Sequence, residues 1–157
     1  MKKRRAAIVG VAESGVGRTP HLTVLSQQAL AAQTGPAALR MADVTLADID
    51  VAEIYDSFTI TVLLTLESLG FCKPGEGRDF IAGGRIAPGG EFPMNTNGGG
   101  LSYTHPGMYG IFLLIEAVRQ LRGDFAWARQ VPDAELALVH GTGGVLSSAA
   151  TVILGTL

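Results

Sequence analysis

Three polar clusters interrupt an otherwise apolar chain of 157 residues: Tyr55-Asp56-Ser57, Ser102-Tyr103-Thr104-His105 and His140-Gly141-Thr142-Gly143-Gly144. Their side chains suit proton transfer and the stabilisation of developing negative charge. Imidazole titrates near neutrality; a phenol, with an ordinary pKa of about 10, acts as a base only when neighbours ionise it or a water chain carries the proton. A helix starting just after Tyr55 or His105 would add partial positive charge at the same place. Each group also has a plainer use. Tyr55 could end a strand with its ring buried and its hydroxyl bonded, and Tyr109 suits the core or its rim. His140 fits a structural role as well as a chemical one, Cys72 reads as an inert buried thiol, and Glu53 and Asp56 either orient Tyr55 or face solvent. Metal, phosphate-loop and dinucleotide readings fail on spacing. His21, His105, His140 and Cys72 lack the short separations of zinc motifs, no Gly-Lys-Ser/Thr follows a glycine run, and Gly10, Gly15 and Gly17 do not form the dinucleotide fingerprint.

The elements that must position these groups alternate between strand and helix, which makes the class α/β. Ala6 to Val11 is a continuous apolar run that reads as a strand, followed by a Gly- and Ser-containing loop over Glu13 to Pro20. Thr23 to Ala32 reads as helix. Gly35-Pro36 should interrupt it, with Thr34 as N-cap of a second helix running to about Met41. Val51 to Ile54 reads as a buried strand. From Ser57 a helix apolar almost all round, and therefore expected to be buried, runs to a stop at Gly70. Seven of the 21 glycines crowd into Gly83 to Gly100, where backbone can approach a ligand closely. The next helix spans Gly107 to Arg122, with Met108, Ile111, Phe112, Ile115, Val118 and Leu121 as its apolar stripe. Leu136 to Val139 and Ala149 to Leu154 read as two buried strands, a hairpin or a neighbouring pair. The three polar clusters thus all sit at element ends, and in α/β folds ligands bind outside the carboxyl ends of strands.

Composition narrows the class further. At 47% hydrophobic, 17% charged and a mean hydropathy of +0.31, the chain is no disordered segment. So little charge points to surface covered in an oligomer. A net charge of −2 argues against nucleic-acid binding. No apolar stretch reaches the roughly 18 residues of a membrane span. Cys72, the only cysteine, excludes a disulfide scaffold and fits a cytoplasmic location. The basic opening Met-Lys-Lys-Arg-Arg reads as a lead-in to the first strand, because the apolar run behind it is too short for a signal peptide.

Val51-Ala52-Glu53-Ile54-Tyr55-Asp56-Ser57-Phe58, Asn95 to Gly100, His105-Pro106-Gly107 and His140-Gly-Thr-Gly-Gly follow one another in an order that resembles the C-terminal halves of thiolases of the sterol-carrier-protein type. Residues 33–157 resemble that half, whereas 1–32 resemble the first strand and helix of the N-terminal half. The large central segment of a thiolase is absent, which places a join between about Ala29 and Gly35. The resemblance implies a layered α/β/α fold. It also brings a departure: the nucleophile-bearing segment is missing, Cys72 does not match its position, and His140 stands at the second thiolase cysteine. Thioester exchange needs a thiolate. The run Ser102 to Gly110 is closer to the thiolase-like aldolases of bacterial steroid side-chain degradation. That subgroup implies retro-aldol cleavage of a steroid-derived β-hydroxyacyl-CoA to a ketosteroid and propionyl-CoA. Tyr103 and Tyr55 would be the catalytic tyrosines and His105 the donor to the thioester oxygen. No cofactor is implied beyond the CoA that the substrate carries, nor any metal site in this chain. The implied assembly is a homodimer together with a small OB-fold, zinc-ribbon partner. An acyl-CoA acetyltransferase and a non-catalytic lipid- or CoA-binding subunit are the alternatives.

Overall fold

A computed structural model describes residues 4–14, 24–105, 107–126, 128–144 and 147–157. Most of the expected loop over Glu13 to Pro20, together with Thr23 and Pro106, lies outside these. Eight elements follow in order: β1 (Ala6–Glu13), α1 (Val24–Ala42), β2 (Val51–Ile54), α2 (Thr59–Leu69), α3 (Gly77–Ile81), α4 (Gly110–Arg122), β3 (Leu136–Gly143) and β4 (Ser148–Thr156). The strands form one sheet ordered β1-β4-β3-β2, antiparallel except for the parallel pair β2 and β3. The expected strands are all present, and the last two form a hairpin. Because successive strand residues face opposite sides, the sheet feeds two cores. Ala52, Ile54, Leu138 and Ile153 pack with α1 and α2, while Val51, Ala137, Val139 and Leu154 pack with α4. The architecture is three layers, mixed α/β.

Three expectations change. First, α1 is one continuous helix with Pro36 inside it, so neither a break at Gly35-Pro36 nor a discontinuity between Ala29 and Gly35 occurs. Packing outweighs the proline's lost hydrogen bond. Thr34 is not a cap: its Oγ1 accepts a 2.9 Å bond from Thr151 of β4, and Gly35 leaves room for Leu69 of α2. One helix and one sheet therefore join residues on either side of position 33. Second, α2 buries only Thr61, Thr65, Leu66 and Leu69 and leaves Ile60 55% exposed; a helix apolar all round does not dictate which side is covered.

Third, α4 starts at Gly110, and the face it buries differs from the expected stripe. Leu113, Glu116, Ala117, Gln120 and Leu121 are buried, whereas Met108, Ile111 and Ile115 are 88%, 52% and 49% exposed. Two polar residues hold inward positions because buried partners satisfy them. The glycine-rich segment is anchored to the core. Phe92 and Met94 are core residues, and Asn95 acts as a strand partner for β2: its Oδ1 accepts from Ile54 N at 2.8 Å and its Nδ2 donates to Ile54 O at 2.9 Å.

Candidate active site

The three polar clusters meet. Parallel pairing carries β2 and β3 to a common end, where Tyr55 N–H donates to His140 O at 2.9 Å. A cavity of about 550 Å³ opens there. Tyr55, Ser57 and Phe58 line it from the end of β2, and Thr142, Gly143 and Gly144 from the end of β3. His105, Met108, Tyr109 and Gly110 line it from the entry to α4. The cavity thus lies outside the carboxyl ends of β2 and β3, the place where ligands gather in α/β folds. A second cavity of about 520 Å³, between the Pro88–Glu91 turn and Arg129–Pro132, holds none of the expected groups.

Tyr55 and His105 therefore share one space, but Tyr103 does not line it. Its half-buried ring packs on Phe112 and Tyr109 at centroid distances of 4.9 and 5.7 Å. Its hydroxyl interacts with Arg129. Burial works against the charge on Arg129, but the Glu116 carboxylate, and after it Tyr103, hold its pKa above the ordinary value. Phe125 supports the guanidinium from one side, 4.1 Å from its ring centroid.

The residue that sequence reasoning assigned to core or rim, Tyr109, is both buried and a wall of the cavity. It is 2% exposed and lies between Tyr55, 5.6 Å away by ring centroid, and Tyr103. Asn97 Nδ2 donates to its hydroxyl at 3.0 Å. Burial pushes the phenol up to about 12, so Tyr109 stays protonated and available as a donor. Asn97 was visible only as part of the motif from Asn95 to Gly100. Its Oδ1 also accepts the Gly99 N–H at 2.8 Å.

The loop around His105 is held under backbone strain. Thr104, His105 and Met108 have φ of 55°, 51° and 61°, a left-handed conformation that costs a non-glycine residue roughly 1–3 kcal/mol. The preceding turn is pinned from the other side, where both oxygens of Asp56 accept from Gly100 N–H at 2.9 Å. Gly99 has φ 70°, and a β-carbon there would overlap the Asp56 carboxylate. Asp56 thus holds the glycine turn, and neither it nor Glu53 bonds Tyr55.

Glu53 is fully buried and reaches Thr96. His140 lies on the α1 side of the sheet, away from the cavity. Its Nδ1 is 2.9 Å from Thr151 Oγ1, and its Nε2 has no hydrogen-bond partner among the described residues. Burial lowers its pKa to about 4, so it is neutral. Cys72 is half-buried in the core against α2, outside the cavity, and burial, then Glu67 and Glu76, push its thiol up. That is the opposite of thiolate activation.

The described residues hold no group of three or more His, Cys, Asp or Glu that could bind a metal ion, and no helix long and apolar enough to cross a membrane.

Comparison with known proteins identifies the family. The profile of the family described as "Thiolase C-terminal domain-like" matches residues 11–156. The chain is 48% identical over 113 residues to the 17-hydroxy-3-oxo-4-pregnene-20-carboxyl-CoA lyase of Mycobacterium tuberculosis, covering 71% of this chain and 27% of that protein. It is 41% identical over 153 residues to the steroid side-chain-cleaving aldolase of Thermomonospora curvata, covering 96% and 33%. To the acetyl-CoA acetyltransferase of Methanothermobacter thermautotrophicus it is 41% identical over 117 residues, covering 74% and 30%. The chain spans about a third or less of the length of these relatives. Among solved structures, an Ltp2-ChsH2(DUF35) aldolase superposes with a TM-score of 0.82 at 33% identity, over 99% of this chain and 40% of that one. Fold and profile agree: the chain belongs to the thiolase C-terminal domain-like family.

Proposed function

We propose that this chain forms the C-terminal part of a thiolase-like aldolase that cleaves a carbon–carbon bond in a steroid-derived β-hydroxyacyl-CoA, releasing a ketosteroid and propionyl-CoA. The observation that carries the reading is the cavity itself. It gathers Tyr55, His105 and the protonated Tyr109 and places the only cysteine elsewhere. Two relatives bear steroid lyase and aldolase names, which supports that substrate class.

In the retro-aldol step the β-hydroxyl loses its proton, the Cα–Cβ bond breaks, and its electron pair moves into a thioester enolate that is then protonated at Cα. Tyr55 takes or returns a proton at the cavity wall. His105 donates to the thioester oxygen as charge develops there, the stage at which a donor contributes most. Tyr103, whose ring packs 5.7 Å from that of Tyr109 in the cavity wall, is the second proton-transfer group.

The exposed apolar face of Leu101, Met108, Ile111 and Ile115 supports an assembly in which a second copy and an OB-fold, zinc-ribbon partner cover it. A cytoplasmic location belongs to the same reading. Similarity to an acetyl-CoA acetyltransferase favours acyl transfer as the second reading.

Release of propionyl-CoA from the β-hydroxyacyl thioester, measured on the assembled protein, tests the proposal. Tyr55→Phe and Tyr103→Phe should each lower kcat by roughly 10²–10⁴, the usual contribution of a positioned proton-transfer group. Thiolytic activity that survives both substitutions would establish acyl transfer instead.

A further inference from the structure

Two carboxyl groups meet inside the protein on one hydroxyl. Glu53, in the middle of β2, is fully buried, and Glu116 of α4 has a side chain 3% exposed. Thr96 Oγ1 lies 2.9 Å from Glu53 Oε1 and 2.6 Å from Glu116 Oε1. It also accepts from Gln120 Nε2 at 2.9 Å. The Gln120 amide is fixed in orientation, because its Nε2 donates to Arg129 O and its Oε1 accepts from Val131 N–H, both at 2.9 Å.

Counting hydrogens then decides the protonation state. A threonine hydroxyl has one hydrogen to give and two lone pairs to receive with. It donates to one carboxylate and accepts from Gln120. The remaining short contact, between two oxygens, requires a hydrogen supplied by the second carboxyl group. Glu116 is ion-paired with Arg129, whose Nε and Nη2 both bond its oxygens, so Glu116 is the carboxylate. The extra hydrogen belongs to Glu53. Its other oxygen, Oε2, is buried with no hydrogen-bond partner among the described residues. As the carbonyl of a neutral acid that oxygen is tolerable; as half of an ionised carboxylate its burial would be far more costly.

We infer that Glu53 is held as a neutral carboxylic acid which donates to Thr96, while Thr96 donates to the Glu116 carboxylate, and that this relay positions the Thr96–Gly100 segment behind Tyr109, which forms part of the cavity wall. The next residue, Asn97, holds the Tyr109 phenol and the Gly99 N–H, and Gly100 N–H closes on Asp56. The groups that act on Glu53 agree. Burial raises its pKa to about 8, Thr96 works in the opposite direction, Glu116 adds to the rise and Arg129 reduces it. Tyr109, the remaining titratable neighbour, is itself raised and stays neutral. Only the consequence for catalysis rests on the proposed reaction; the proton on Glu53 does not.

Infrared spectroscopy of the folded protein at neutral pH tests the proton directly. A carbonyl stretch of a protonated carboxylic acid should be present in the wild type, absent in Glu53→Gln, and lost from the wild type as pH rises through about 8. Absence of that band at neutral pH, or its persistence in Glu53→Gln, would overturn the inference. Positioning is read without any substrate, by amide hydrogen exchange at Gly99 and Gly100. Glu53→Gln keeps a donor towards Thr96 and should retain protection, whereas Glu53→Ala should lose at least tenfold. Equal protection in both variants would reject the positioning role. Should Glu53→Ala fail to fold, Thr96→Val, which breaks the relay at its centre, takes its place with the same expected loss. If no propionyl-CoA is released by the wild type, the proposed reaction fails while the infrared and exchange results still decide the fate of Glu53.

Discussion

Between pH 8 and pH 4, two buried groups should pull the stability of this fold in opposite directions. Glu53 is raised by burial from an ordinary 4.5 to about 8, so over that window the folded protein keeps a proton that the unfolded chain has released. Stability therefore falls as pH rises, by about 1.4 kcal/mol per unit and about 5 kcal/mol in all. His140 is lowered by burial from 6.5 to about 4, so the unfolded chain binds a proton that the folded protein refuses. Stability is lost as pH falls through that interval, by about 3 kcal/mol. From pH 4.5 to 6.5 the two slopes cancel, and between 6.5 and 8 only Glu53 remains, giving a decline of about 2 kcal/mol. Urea denaturation at half-unit pH steps and constant ionic strength measures this, with differences between wild type and variant removing the contribution of surface groups. Glu53→Gln should rise from pH 4 to 6.5 and then stay level. His140→Gln should instead decline steadily from 4.5 to 8. A decline above pH 6.5 that persists in Glu53→Gln would refute the assignment, as would a flat His140→Gln curve between 4.5 and 6.5.

Removing the cation from the buried pair should be costly. Arg129→Met leaves the Glu116 carboxylate without its ion-pair partner, and denaturant midpoints should show a loss of about 3 kcal/mol, part of which Glu116→Gln in the same chain restores. Additive losses from the two substitutions would mean that the pair is not coupled. Cys72→Ala should leave propionyl-CoA release within about twofold, because the thiol lies outside the cavity and burial disfavours its ionised form. An inactive Cys72→Ala enzyme would return the chemistry to a covalent route.

How much of this was legible in the sequence depended on how local the cause was. Short, largely apolar segments such as Val51–Ile54 and Leu136–Val139 become strands because burial on both faces demands little more than a short β-favouring segment. The C-terminal ends of α2 and α4, at Gly70 and Arg122, followed from the sequence, but the faces did not. The inward face of α4 includes Glu116 and Gln120, whose partners Arg129 and Thr96 lie nine or more positions away in sequence. A polar residue looks outward until such a partner is known. Pro36 misled for the same reason, since the contacts that keep α1 whole come from β4 and α2.

The site divides along the same line. That the three clusters would converge follows from their positions at strand ends, and they do. Which tyrosines face the cavity is settled by ring packing: Phe112 and Arg129 draw Tyr103 aside, while Asn97 holds Tyr109 in the wall. Glu53 carried the clearest unread signal, a carboxyl group in a four-residue strand whose other members are all apolar. An unpaired charge there would be costly enough that the strand reading already requires either a cation or a proton for Glu53. The nearest cation, on Arg129, is engaged by Glu116, which leaves the proton, and the hold of Asn97 on Tyr109 at the cavity wall then depends on an acid that must stay neutral.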